Sequence, residues 1–169
     1  LTATYDDLGT TQDPTDSNGK ILRLLVDDEP FDVRYGELID HERVLDLRAG
    51  TLTRRAQWRS PAGKQVKVVS TRLVSLPQRG VAAIEYVVEA VGEFVRVTVQ
   101  SELVANEDQP QPSADPRVAA VLMHPFVAVE HVQTGRGATL LHRTRGSALV
   151  VAAAMDHEIE VPGRVEFST

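Results

Sequence analysis

The feature that most constrains this chain is a side-chain period of two. From Arg43 onward, Leu45 and Leu47 fall on one face while Val44, Asp46 and Arg48 fall on the other, and successive side chains of an extended strand point to opposite faces. The pattern predicts a half-buried strand. The same alternation returns in TLTRRAQWRS, KQVKVVSTRLVS, VAAIEYVVEAV and EFVRVTVQSELV. Between these runs stand Ala49-Gly50, Ser60-Pro61-Ala62-Gly63, Pro77 with Gly80, and Gly92. Pro presets φ and Gly permits φ > 0, so each break reads as a turn. The segments predict a meander of antiparallel hairpins. In the last of them Val95, Val97, Val99 and Leu103 oppose Phe94, Arg96, Thr98, Gln100 and Glu102, as in a strand with one wet face.

Upstream, KILRLLV is an apolar run that stops at Asp27, Asp28, Glu29 and Pro30, which predicts a buried strand closed by an acidic turn. FDVRYGELIDHE reads equally well as strand or as irregular structure. Downstream, ANEDQPQPSADPR carries Pro110, Pro112 and Pro116 and predicts an exposed loop. PRVAAVLMH predicts a short helix with Pro116 in its first turn. FVAVEHVQT, the turn Gly135-Arg136-Gly137, ATLLHRT, SALVVAAAM and VEF read as further strands. Residues 1–19 mix Thr, Asp, Gly, Pro and Asn and predict a mobile N-terminal segment, leaving residues 20–169 as one folded domain. Many short strands without a sustained 3.6-residue period predict an all-β fold, an antiparallel β-sandwich.

Length and charge bound the function. The 169 residues suit a single domain, on the usual scale of about 100–200 residues each. Eighteen Lys and Arg against 24 Asp and Glu give a net charge of −6, which repels phosphate backbones, so no nucleic-acid partner is expected. No apolar run approaches the ~18 residues of a membrane helix, and no membrane partner is expected. The absence of cysteine removes disulfides, thiolate ligands and a cysteine nucleophile, and fits a reducing, cytoplasmic location. No secretory leader is visible, and the chain opens on Leu1 rather than Met, as a piece of a longer protein would.

Few residues form a readable constellation. His41, His124, His131, His142 and His157 never adopt a two-histidine ligand spacing, and no metal is expected. Asp156, His157 and Glu158 read as a solvated turn. Asn18-Gly19-Lys20 and Gly63-Lys64 lack the Ser or Thr that follows the lysine of a phosphate loop, so no nucleotide cofactor is expected. Asp27, Asp28 and Glu29 are adjacent and point alternately, unlike a catalytic carboxylate pair, and no catalytic residue is assigned. TRRAQWRSPAGKQVKVVSTR gathers Arg54, Arg55, Arg59, Lys64, Lys67 and Arg72 around Trp58. Trp58, Arg54 and Arg59 are therefore the candidate contacts to a sugar or a phosphate, the indole stacking on a ring and the guanidinium groups holding oxygens. Against this, Trp58 shares its face with Leu52 and Ala56, which predicts an inward-facing indole.

The runs NGKILRLLVDDEPFDVRYGEL, HERVLDLRAGTLTRRAQWRSPAGKQVKVVSTRLVSL, AAIEYVV and VTVQSELVANE closely resemble the N-terminal domain of glycoside hydrolase family 65, which includes maltose, trehalose and kojibiose phosphorylases. The resemblance is most specific at LDLRAGTLTR and SELVANE, and HRTRGSALVVAAAM continues it. It implies a galactose-mutarotase-like supersandwich, present here as a partial domain. It also implies a carbohydrate substrate and, as partner, a catalytic α/α barrel in the same parent chain. In the family one barrel glutamate acts as general acid, and in the phosphorylases phosphate attacks the anomeric carbon with inversion to give β-glucose 1-phosphate. The chain would thus be a non-catalytic domain, inactive alone, with an unpaired sheet edge suited to a homodimer. A free-standing carbohydrate-binding module with Trp58 as its stacking platform is the alternative.

Overall fold

The computed structural model describes residues 4–5, 11–12, 17–106 and 125–168. Among them there is no helix, and twelve strands form antiparallel sheets of the β-sandwich class. The predicted helix at PRVAAVLMH and most of the predicted mobile segment 1–19 lie outside the described residues. The strands are β1 (Thr4–Tyr5), β2 (Thr11–Gln12), β3 (Ser17–Val26), β4 (Glu29–Pro30), β5 (Glu37–Asp46), β6 (Thr51–Arg59), β7 (Gln65–Val74), β8 (Ala82–Val91), β9 (Val97–Ala105), β10 (Phe126–Gln133), β11 (Gly137–Thr144) and β12 (Val150–Asp156). Contacts divide the chain into a unit over residues 22–101 and a second unit over 2–21 and 102–169.

In the first unit β5, β6, β7 and β8 form a four-stranded antiparallel meander. The turns are those the sequence marks. Gly50 and Gly63 have positive φ, and the Gly63 amide donates to the Ser60 carbonyl at 2.9 Å. Leu24 and Val26 of β3 pack on Trp58, Val66 and Val68 of β6 and β7, with Phe31, Tyr86, Val88 and Val95 around them. These residues form the apolar layer of a sandwich. Val26, Asp27, Asp28 and Glu29 make a two-residue hairpin from β3 to β4, with Asp27 and Asp28 both at positive φ, the backbone that suits the right-handed strand twist. The Asp27 carboxylate accepts from the Arg96 amide at 2.7 Å, and Asp28 pairs with the Arg96 guanidinium.

Trp58 is completely enclosed, as its shared face with Ala56 predicts. Its Nε1–H donates to the Asp32 carbonyl at 3.2 Å, and Phe31 meets it edge-on with ring centroids 5.4 Å apart. Gly36 lies so close that a Cβ there would sit 2.4 Å from the indole. The indole therefore fills a socket closed by backbone as well as by side chains.

Four details of the strand pattern differ from expectation. β5 ends at Asp46, and Leu47 is 85% exposed, because the Asp46 carboxylate accepts from the Arg48 and Ala49 amides and folds the chain into a turn. Every residue of β5 is exposed rather than half of them, since as an edge strand it pairs only with β6. β9 begins at Val97, and Val97 and Val99 are both exposed, so alternation alone does not supply a covering layer. VEF, at residues 165–167, is not a strand.

In the second unit β10, β11 and β12 form an antiparallel sheet, with a bulge in β10 between Ala128 and Glu130. Among the described residues its buried set is partly polar: Pro125, Phe126, His142 and Thr144. The Asn106 side chain pairs with the Phe126 backbone in both directions, its oxygen accepting and its nitrogen donating, each at 3.0 Å. Thr144 Oγ1 accepts from the Leu149 amide at 2.9 Å and lies 2.6 Å from Ser147 Oγ, closing the turn into β12.

Candidate functional site

The side chains of the four-stranded sheet sort by parity. In β6 the even residues Leu52, Arg54, Ala56 and Trp58 share one face, and the register fixes which neighbours join them. Arg54 pairs with Ser70, Ser70 with Tyr86, Ala56 with Val68, and Leu52 with Arg72. On the other side of β6 a bulge between Leu38 and Asp40 brings His41 opposite Ala56 and Arg43 opposite Arg54. At one end this face is the sealed Trp58 core. At the other it opens into a concavity of ≈ 520 Å³, walled by His41, Arg43, Arg54, Arg72 and Tyr86, with Phe31 and Asp32 at its rim.

The wall is cationic. Arg54 Nε–H donates to His41 Nε2 at 3.2 Å. No ion pair joins Arg43, Arg54 or Arg72 to a carboxylate among the described residues. Asp32, the one carboxylate of the lining, is clasped by Arg34, whose Nε reaches both of its oxygens at 3.1 Å. That hydrogen bonding holds the Asp32 carboxyl at about 2. Asp32 is thus ionised at neutral pH and cannot serve as the protonated acid that glycoside cleavage requires. Burial pushes the Tyr86 phenol up, while Arg54 and Arg72 pull it down, so it stays a hydroxyl donor. Ser70, only 7% exposed, lines the concavity, and its Oγ has no hydrogen-bond partner among the described residues.

The three residues singled out in the sequence have separate environments. Arg54 stands in the concavity. Trp58 lies on the same face two positions further, sealed in the core with no free ring face. Arg59 lies on the opposite face, paired to Glu37 at 2.7 Å. Arg55 joins it there, bound to Glu42 at 2.9 Å, and Lys64 binds Glu93 at 2.7 Å. Of the basic cluster read from the sequence, only Arg54 and Arg72 reach the concavity. Arg43, Ser70, Tyr86 and His41 join them through strand register, for which the only sequence signal is the parity of each strand taken with its partner. No group of three or more His, Asp or Glu side chains suited to a metal lies together among the described residues. Asp156 ends β12 opposite Gly137 and His157 follows in irregular chain, not in the turn expected, with the His157 amide donating to Asp156 and His157 Nδ1 2.6 Å from the Arg136 carbonyl oxygen.

Comparison with known proteins adds an independent line. The model of the glycosyl hydrolase family 65 N-terminal domain matches residues 17–168. An uncharacterized glycosyl hydrolase of Mycobacterium tuberculosis is 77% identical over 153 residues, which is 90% of this chain and 20% of that protein. An α,α-trehalose phosphorylase of Thermoanaerobacter brockii is 29% identical over 153 residues, again 90% of this chain and 20% of the relative. The chain thus spans about a fifth of the length of these curated relatives. Among solved structures, one described as a kojibiose phosphorylase from the human microbiome superposes with a TM-score of 0.71 at 17% identity, covering 90% of this chain and 19% of that one. At that identity the likeness concerns the fold, and it agrees with the all-β sandwich. The chain belongs to glycosyl hydrolase family 65, as part of the family's N-terminal domain.

Proposed function

We propose that this chain is the non-catalytic N-terminal β-sandwich of a carbohydrate-active enzyme that phosphorolyses or hydrolyses α-linked glucose disaccharides. The observation that carries the reading is one of proportion: the chain aligns along nine-tenths of its own length with a trehalose phosphorylase, yet with only a fifth of that enzyme. The remaining four-fifths leave room for a catalytic α/α barrel, the partner against which this domain would pack. The sandwich would be of the galactose-mutarotase-like supersandwich type, shaping the entrance to the barrel's sugar site and contributing to a homodimer. The cysteine-free sequence fits a cytoplasmic parent. The domain limits follow the same reading, with residues 20–169 as the sandwich domain and residues 1–19 as a separate N-terminal segment.

Of Trp58, Arg54 and Arg59, the proposed sugar or phosphate contacts, Arg54 alone stands in the concavity, so the contact set reduces to Arg54. The alternative, a free-standing carbohydrate-binding module stacking sugar on Trp58, has the enclosed indole against it. The test is enzymatic. Maltose, trehalose and kojibiose are offered to this chain and to the full-length parent, with and without inorganic phosphate. The parent should release glucose, or glucose and glucose 1-phosphate, while the chain alone releases neither. Turnover by the chain above a heat-killed control would overturn its non-catalytic role, and a parent inert on all three sugars would overturn the substrate class.

A further inference from the structure

We propose that the concavity bearing Arg43, Arg54 and Arg72 over Ser70 is a binding site for a small dianion rich in oxygen acceptors, of the phosphate or dicarboxylate class. Arg43 and Arg54 are direct cross-strand partners, and Arg72 is diagonal to Arg54 across β6 and β7. Like charges placed directly opposite one another destabilise a sheet, and here none of the three meets a carboxylate among the described residues. The lining's own acid, Asp32, is consumed by Arg34. The lining is also rich in donors: a guanidinium cannot accept a hydrogen bond, and the Tyr86 hydroxyl remains protonated.

Ser70 supplies the second, independent observation. A buried hydroxyl without a partner is uncommon, and the Ser70 Oγ, which has none among the described residues, belongs to a residue that lines the same concavity, in register with Arg54 on one side and Tyr86 on the other. The space, ≈ 520 Å³, falls within the range of small-molecule sites, about 300–1,000 Å³. A dianion there would neutralise the arginine ladder through charge-assisted hydrogen bonds, bidentate where a guanidinium meets two oxygens. The site includes Arg54, the proposed contact that stands in the concavity, and a failure of binding here leaves the proposed non-catalytic role untouched.

Isothermal titration of this chain in a low-salt zwitterionic buffer tests the assignment, with inorganic phosphate and malonate as probes. At least one should bind saturably at a single site, and the preferred probe distinguishes a tetrahedral from a planar acceptor. Arg54→Met should weaken that binding by about tenfold or more, the scale of a charged hydrogen bond, while Arg54→Lys retains part of it. Ser70→Ala should weaken it by several-fold without lowering the melting temperature of the ligand-free chain. Arg55→Met, on the opposite face, should leave it unchanged, and circular dichroism confirms that each variant is folded. Absence of saturable binding of either probe at millimolar concentration would overturn the site, and would direct the arginines instead to carboxylates of an adjoining polypeptide. An equal loss in Arg55→Met would reduce the effect to net charge and overturn it as well.

Discussion

The two units of this chain are held by different chemistry. The first is closed by an aromatic plug, with Trp58 enclosed among Phe31, Leu24, Val26 and Val66. Among its described residues the second buries Pro125, Phe126, His142 and Thr144, and holds them with side chains that imitate backbone: Asn106 on Phe126, and Thr144 on Leu149. Apolar burial is non-directional and scales with area, whereas a polar latch depends on geometry and on protonation. The two units should therefore fail under different perturbations, the first when volume is removed and the second when a hydrogen bond or a proton is changed.

The largest expected effect tests the plug. Trp58→Ala should destabilise the first unit by roughly 3–5 kcal/mol, the usual cost of emptying an aromatic site in a core, measured by urea unfolding followed by far-UV circular dichroism. A loss no larger than that of an exposed-residue control would mean that the indole is not what holds the two layers together. A smaller effect is expected at the latch. Asn106→Ala leaves the Phe126 N–H and C=O without their partner, at about 1–3 kcal/mol for an unsatisfied buried group, and amide exchange at Phe126 should accelerate. Unchanged exchange there would remove the contrast between the units.

The smallest effect separates the units by pH. Burial lowers the pKa of His142 below its ordinary 6.5, so the unfolded state binds more protons than the folded one in the interval beneath 6.5. Stability from this group is complete above 6.5 and declines as pH falls from there toward the folded pKa. Asp32, in the first unit, is lowered from 3.8 to about 2 by Arg34, so its contribution persists above 3.8 and is lost only as pH falls through about 2. Opening of β10–β12, read as amide exchange corrected for its intrinsic pH dependence, should thus rise on mild acidification while that around Trp58 does not, and His142→Gln should flatten the difference. A parallel rise in both units would show that they do not differ in this respect.

How far the fold is legible in the sequence follows from the same physics. Turns such as Ser60–Gly63 announce themselves because Pro and Gly fix local φ, and β6 and β7 announce themselves because alternation is a property of one strand. Burial is not such a property. Arg54 and Trp58 share a face of β6, yet one is open and the other sealed, because β3 and Phe31 cover only one end of the sheet face. Val97 and Val99 alternate as inner residues do and still face solvent. The concavity was legible at Arg54 and Arg72, which lie within one basic run. Its partnership with Arg43, Ser70 and Tyr86 was hidden, since the register between strands is written in no single one of them.

The bulge in β5 carries a consequence of parity. Counted straight through from Leu38 opposite Trp58, alternation would turn Asp40 and Glu42 toward Arg54. The one unpaired residue between Leu38 and Asp40 advances the count, so that His41 and Arg43 occupy that wall while Glu42 goes to the outer face to meet Arg55. A single extra peptide unit thus selects the sign of the electric field over the concavity, with no charged residue gained or lost. In such a strand an insertion or deletion works as an inverter, and charge on a sheet face can evolve by length as readily as by substitution.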